Sequence, residues 1–174
     1  MTRLLVDATT LIALGTVGEL DLLTSFDGRP EVPPAVATEV ASEPARTNLV
    51  RFLEDADAAM DEEAVPGEEH RRRALDTLGD EEVTGDAVLV ARVLEERAAD
   101  RRVGLISDDR RIRTVADGFG ATVTGTVGVV VRAVEEGLPP EDGKALVRRV
   151  DADGLHMTGE LRERALRLVE EAGE

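Results

Sequence analysis

Short apolar runs alternate along the chain with longer segments in which apolar residues recur every three or four positions. The runs at residues 3–6 (RLLV), 103–107 (VGLIS) and 121–123 (ATV), with a shorter one at Val32, predict strands. The segment from Thr84 (TGDAVLVARVLEERAADRR) predicts the clearest helix, with the threonine placed to cap it. Because strands and helices alternate, we expect a three-layer α/β/α fold around a mainly parallel sheet of four or five strands.

The middle and the end of the chain complete this prediction. Residues 44–80 are the least regular part: LVRFLEDADAAM predicts a helix followed by a strand, and GEEHRRRALDTLG a helix ending at Gly79. Beyond residue 137 the pattern predicts two amphipathic helices. We therefore expect a main domain over residues 1–137 and a helical tail over residues 138–174. The tail is equally consistent with a dimer or partner surface and with packing on the domain itself.

The charge of the chain is strongly acidic. Its 174 residues include 37 acidic and 21 basic ones, a formal net charge of -16, and Lys144 is the single lysine. This composition resembles that of proteins from extreme halophiles, although an arginine-rich, acidic protein from a GC-rich genome is the alternative. Such a charge opposes binding to nucleic acid in dilute salt. In about 1 M salt the Debye length falls to about 3 Å, so the surface acids hardly repel a nucleic-acid backbone.

Other features of the composition restrict where the chain works. There is no cysteine, which excludes disulfides and thiolate chemistry, and no apolar stretch approaches the ~20 residues of a membrane span. The first residues, MTRLLVDATTLIALG, lack the cleavage site of a signal peptide. The sequence therefore predicts a soluble cytoplasmic protein that does not bind membranes.

Acidic residues stand at the ends of predicted strands and at the starts of helices. Asp7 follows the first strand, and Asp108 and Asp109 follow the strand VGLI. In parallel α/β sheets, ligand sites form outside the carboxyl ends of the strands. Glu39 and Asp86 stand early in two other helical segments. Each acid alone could simply cap a helix or face solvent, but together they predict an acidic pocket.

Four segments of the chain, in order and in spacing, resemble the motifs of PIN-domain nucleases, including the VapC-like toxins. They are LLVDATTLIAL, VPPAVATEV, GDAVLVARVL and GLISDDRRIRTVADGFGATVTGT, within residues 3–136. The resemblance implies a PIN-like fold and an acidic catalytic pocket. Carried over by position, the catalytic acids are Asp7, Glu39, Asp86 and Asp109, and the supporting hydroxyl residues are Thr9 and Ser107. The family usually has a single acid at the last position, so the resemblance leaves open which of Asp108 and Asp109 faces a metal. The family's spacing from Ser107 favours Asp109 as the ligand, and we then expect Asp108 to cap the following helix or to orient Arg110.

The chemistry of clustered carboxylates agrees with this implication. Such groups repel one another unless a proton or a cation intervenes, and oxygen ligands suit hard cations. The expected cofactor is Mg²⁺ or Mn²⁺, as one ion or two, held by Asp7, Asp86 and Asp109, with Asp108 as a further candidate. Arg110 and Arg113 follow the acidic pair and are candidates to contact substrate phosphates.

The resemblance thus implies a Mg²⁺- or Mn²⁺-dependent endoribonuclease, of the kind that serves as the toxin of a toxin–antitoxin pair. The expected partners are RNA, a small antitoxin protein and a second copy of the chain. A PIN-like module that binds protein or RNA without catalysis is the alternative. A response-regulator fold is disfavoured, because it would pair its acids after the first strand, whereas the acidic pair of this chain comes later. A haloacid-type phosphatase would need Asp-x-Asp where the chain has Asp7 and Thr9.

Overall fold

The computed structural model describes residues 2–56, 58 and 65–174. Within these residues the chain forms one four-stranded sheet, in which every strand runs parallel to its neighbours. The strands are β1 (Arg3–Val6), β2 (Arg29–Glu31), β3 (Val103–Ile106) and β4 (Thr122–Thr124). Their order in the sheet is β2-β1-β3-β4. The predicted α/β/α fold around a parallel sheet is confirmed.

Helices connect the strands and cover both faces of the sheet. The described α-helices are α1 (Ala8–Val17), α2 (Pro34–Glu39), α3 (Ala45–Asp55), α4 (Glu68–Leu78), α5 (Gly85–Ala98), α6 (Arg110–Gly118), α7 (Thr126–Glu135), α8 (Pro140–Val150) and α9 (Gly159–Ala172). Right-handed crossovers place α1, between β1 and β2, on one face, and α5 and α6, on the way to β3 and β4, on the other; α7 follows the last strand and lies beside α1. The contacts agree, since α1 touches α7 and α5 touches α6. The strand predicted at the end of the segment LVRFLEDADAAM, residues 49–60, falls mostly on residues 57, 59 and 60, which lie outside the described residues.

The core consists of small aliphatic side chains, as the low aromatic content predicts. Leu5, Val6, Leu105 and Ile106 from the two central strands are fully buried, and helix residues such as Leu89 pack over them. At about 25 cal/mol per Å² of buried apolar surface, such side chains provide the main stabilisation of the sheet. The central strands are thus rigid supports for the residues that follow them. No described helix is both long enough and apolar enough to cross a membrane.

Strand β2 lies one to three residues before the position predicted for it. The predicted strand residue, Val32, is buried but follows the last strand residue, Glu31. The pattern misses this strand because Arg29 and Glu31 are charged. Glu31 is nevertheless buried, and it accepts hydrogen bonds from Arg3 at 2.5 Å and from Arg92 at 3.0 Å. An ion-paired edge strand therefore replaces the expected apolar one.

The helical tail packs on the rest of the protein. Helix α8 contacts α1 and α7, α9 contacts α7 and α8, and Val150 and Val169 belong to the common apolar core. Between the two helices, Asp151 accepts a hydrogen bond from Met157 N–H at 2.6 Å and pairs with Arg162 at 2.8 Å. One face of α9 nevertheless leaves Leu161 exposed.

Candidate functional site

The carboxyl ends of β1 and β3 meet in the middle of the sheet. The chain continues from β1 towards β2 on one side and from β3 towards β4 on the other. A reversal of this kind opens a crevice in which α/β proteins bind their ligands. Asp7 follows β1 directly, while Ser107, Asp108 and Asp109 follow β3. The structure therefore brings the acids of the first and fourth motifs to the same crevice.

The carboxylate of Asp7 is buried and fixed by three hydrogen bonds. Its Oδ1 accepts from the N–H of Ala8 at 2.7 Å and so caps α1. Its Oδ2 accepts from the hydroxyl groups of Ser107 at 2.6 Å and of Thr9 at 3.1 Å. Only 2% of Asp7 is exposed. The oxygen atoms of this side chain therefore have defined positions before any ligand binds.

Thr9 and Ser107 link the ends of the two central strands. Each hydroxyl donates a hydrogen bond to Asp7. Each also accepts one from a backbone N–H group after β3: Thr9 accepts from Asp108, and Ser107 accepts from Asp109, both at 3.1 Å. A hydroxyl group suits both links because it can donate and accept at once. The two residues thus hold the acids of β1 and β3 in register with each other.

Glu39 and Asp86 reach the crevice from the end of α2 and the first turn of α5. The carboxylate of Glu39 accepts from the N–H of Gly85 at 3.1 Å. A Cβ atom at position 85 would overlap Glu39 Oε1, so this contact requires glycine. Thr84 caps α5 by accepting from the N–H of Ala87, as the sequence predicts. The start of α5 is therefore fixed at the position that carries Asp86 into the cluster.

The electrostatic environment of Asp86 shows that the four acids lie near one another. Partial burial, and then the charges of Asp7, Asp109 and Glu39, raise the pKa of Asp86 to about 6. Arg111 opposes this shift from 3.8 Å. The carboxyl group of Asp86 therefore takes up a proton as the pH falls towards 6, unless a cation neutralises the cluster.

Asp108 and Asp109 differ from the prediction in one respect: Asp109, and not Asp108, caps α6. Asp109, the expected ligand, is itself the cap of α6, accepting from the N–H groups of Arg111 and Ile112 at 2.7 and 3.2 Å. Asp108, the expected cap, instead accepts from the N–H of Thr126 at 2.8 Å and from its hydroxyl at 2.5 Å. The prediction that Asp108 caps the helix after β3 is therefore wrong, because its carboxylate turns towards the start of α7.

Arg111 is the basic residue that the structure places against the acids. Its guanidinium lies 3.6 Å from Asp80, 3.8 Å from Asp86, and donates to the carbonyl of Leu78 at 3.2 Å. The sequence places three arginines after the acidic pair but gives no sign of which one faces it. Asp80, in the loop before α5, is likewise a member of the site that the sequence analysis missed.

The two arginines predicted to contact substrate have different surroundings. Arg113 donates to the carbonyl of Ser107 at 3.1 Å and so braces the end of β3. Arg110 is exposed at the start of α6, and its side chain has no recorded partner among the described residues. Arg110 is thus available to a ligand at the crevice, while Arg113 is partly engaged. A role for either in substrate binding stays a prediction.

The donor set of the crevice suits a hydrated hard cation. Asp7, Glu39, Asp86 and Asp109 offer only oxygen atoms, and the guanidinium of Arg111 counters the charge of Asp86. In the part of the chain that the structure describes, no three acidic or histidine side chains converge closely enough to enclose a metal by themselves. Mg²⁺ does not require such a cage, because it usually keeps several waters and takes one or two carboxylates.

The parallel sheet, the crevice at its switch point and the acidic cluster together define an α/β protein with an acidic pocket at the carboxyl ends of its central strands. The chain matches the family model DUF3368, a PIN domain, over residues 3–171. The protein therefore belongs to the PIN-domain family, whose members are generally nucleases. The match includes the helical tail, α8 and most of α9. A search of curated proteins found no match.

Proposed function

We propose that this protein is a Mg²⁺- or Mn²⁺-dependent endoribonuclease that hydrolyses phosphodiester bonds in the crevice between β1 and β3. The observation that carries the proposal is the cluster of Asp7, Glu39, Asp86 and Asp109 at the carboxyl edge of the sheet, where partial burial and then the charges of the other three acids raise the pKa of Asp86. Such a cluster is costly unless a cation compensates it, and phosphodiester hydrolysis is a reaction in which that cation is useful.

Each acid would contribute differently to the reaction. Asp7 is buried and held by three donors, so it offers a ligand oxygen of fixed position. Asp86 and Asp109 would hold the ion directly or through its waters, while Glu39, fixed by Gly85, borders the same space. When bound there, a hard divalent cation supplies stabilisation of the charge that develops on the phosphate. Arg110 lies at the edge, where it can hold a neighbouring phosphate group.

A cleavage assay with matched variants tests the proposal. The protein is incubated with a single-stranded RNA and with DNA of the same sequence, with Mg²⁺, Mn²⁺ or excess EDTA. We expect RNA cleavage that requires metal, and a loss of about a hundredfold or more in Asp7→Asn. Asp117→Asn, an equal charge change at the exposed end of α6, should keep full activity.

Two results would overturn the mechanism. One is full activity in Asp7→Asn, with circular dichroism confirming its fold, and the other is cleavage that survives excess EDTA. Binding of RNA without cleavage under any metal condition would instead favour the non-catalytic module.

The choice of RNA rests on the family resemblance. An antitoxin partner, a homodimer and a halophilic source also stay predictions. The occurrence of a small open reading frame overlapping this gene would support the toxin role.

A further inference from the structure

A second cavity lies at the opposite edge of the sheet from the acids. It has a volume of about 440 Å³ and opens at the amino ends of the strands. Leu4 and Thr122 line the cavity from the first residues of β1 and β4, and Gly28 lies just before β2. A four-residue strand spans about 13 Å, so this cavity and the acidic crevice are separate sites.

The charge of this cavity is opposite to that of the protein. Its lining includes Arg97, Arg102 and Arg132, against a single acid, Asp27. The whole chain carries 37 acidic residues and a net charge of -16. Arg132 pairs with Asp27 at 3.7 Å, so Arg97 and Arg102 supply the local positive charge to which an anion is attracted.

These arginines keep donor groups available. Arg97 uses Nη1 to donate to the carbonyl of Arg101 at 3.2 Å. Arg102 is exposed and has no recorded side-chain partner within the described ranges. Arg132 is more engaged, because it donates to Ser25 O at 3.2 Å and pairs with Glu136 at 2.6 Å. Arg97 and Arg102 are thus the stronger candidates to bind an anion, with Arg132 at the wall.

The backbone of the cavity makes room for these side chains. Gly120 has a φ of +90°, a conformation that other residues rarely adopt, and a Cβ atom there would lie 3.1 Å from Arg97 Nε. Glycine at this position therefore lets the guanidinium lie against the entry to β4. Part of the wall is apolar: Phe26, one of only three phenylalanines in the chain, is partly buried there, and Leu4 lines the same cavity.

We propose that this cavity binds the phosphate group of a nucleotide, with Arg97 and Arg102 on the phosphate and Phe26 against the base. Guanidinium groups form paired hydrogen bonds with phosphate oxygens, and aromatic rings stack on any base. The cavity volume falls in the usual range of small-molecule sites, about 300–1,000 Å³. The ligand chemistry is the same for a free mononucleotide and for the 5′-phosphorylated end of an RNA strand.

Calorimetric titration of the full chain tests this proposal without relying on nuclease activity. Experiments are run in EDTA, so that the acidic crevice, lacking a cation, repels phosphate. The probes are AMP, adenosine, inorganic phosphate, and short RNA oligonucleotides with a 5′-phosphate or a 5′-hydroxyl group. We expect AMP to bind at least tenfold more tightly than either adenosine or inorganic phosphate.

Variants locate the binding. Arg102→Gln and Arg97→Gln should each weaken AMP binding about tenfold or more, because each removes a charged donor. Arg148→Gln makes the same charge change on the exposed surface of α8 and should change the affinity less than twofold. Competition by the 5′-phosphorylated oligonucleotide, but not by its 5′-hydroxyl form, would identify an RNA end as the ligand. Absence of that competition would identify the free nucleotide.

Three results would overturn the assignment. The first is that adenosine binds as tightly as AMP, and the second is that inorganic phosphate binds as tightly as AMP. The third is that Arg148→Gln weakens AMP binding as much as Arg102→Gln does. The first result would show that the phosphate group contributes nothing to binding, and the second that the base contributes nothing. The third would show that the effect of the arginine variants reflects only the overall charge of the protein. None of them depends on whether the acidic crevice cleaves RNA.

Discussion

Replacing Asp86 by asparagine should make the metal-free protein more stable at pH 8. The pKa of Asp86 rises from 3.8 to about 6 in the folded chain, because the side chain is partly buried and faces Asp7, Asp109 and Glu39. Between these values the folded state binds more protons than the unfolded state. The free energy of unfolding therefore falls as pH rises through this window. Above about pH 6 the wild type bears the whole cost of ionising Asp86 in the folded state. Asparagine carries no charge and avoids it.

The size of the effect follows from the shift. About two pKa units at 1.36 kcal/mol each would give about 3 kcal/mol. The side chain is 30% exposed, so solvent screening reduces this figure. Asp86 also lies in the first turn of α5, where a negative charge gains about 0.3–1 kcal/mol from the helix dipole. We expect a net stabilisation of about 1 kcal/mol, which is about 2–4 °C in Tm for a chain of this size.

Urea unfolding in EDTA at pH 4, 6 and 8 measures this effect. Asp86→Asn should be more stable than the wild type at pH 8, and the difference should shrink towards pH 4, where Asp86 is protonated in the folded state and begins to be protonated in the unfolded state. Mg²⁺ should reverse the order, because metal stabilises only the form that binds it. Asp117→Asn is the matched control and should show no pH-dependent difference. A variant that is less stable at pH 8, or a difference independent of pH, would refute the reasoning.

Two other perturbations test the neighbouring contacts and the surface. Asp108→Ala removes the acceptor for the N–H and hydroxyl groups of Thr126 and should cost about 1–3 kcal/mol, while Mg²⁺ still raises Tm. A lost Mg²⁺ response would instead place Asp108 among the ligands. Lowering the salt from about 1 M to about 0.01 M lengthens the Debye length from about 3 to about 30 Å and should lower Tm, since the net charge is -16. A constant Tm would contradict the predicted halophilic character.

The positions of the acids were predictable because a parallel sheet has a simple geometry. Once the runs RLLV and VGLI are recognised as strands, Asp7 and Asp109 must stand at the same edge. Helix starts are nearly as clear: Thr84 and the residues after it fix Asp86 in the first turn of α5. These features depend on local sequence, and the structure agrees with them.

The contacts that refine the site depend on rotations that no local pattern reveals. Arg111, rather than Arg110 or Arg113, reaches Asp86, because the turn of α6 after its cap directs that side chain back to the crevice. Asp108 turns to Thr126, which lies 18 residues away along the chain. The charged strand β2 was also displaced in the prediction, since its burial depends on ion pairs with other elements.

Three helices begin at the acidic crevice, and this arrangement explains how four like charges can be held together. Asp7, Glu39 and Asp109 accept hydrogen bonds from backbone N–H groups in the first turns of α1, α5 and α6. Helix amino ends carry partial positive charge, so these carboxylates are stabilised before any cation binds. Asp86 has no such bond among the described residues, so its partial burial and the charges of Asp7, Asp109 and Glu39 raise its pKa without a backbone donor to oppose them. Its raised pKa marks the place in the cluster where an added positive charge gains most.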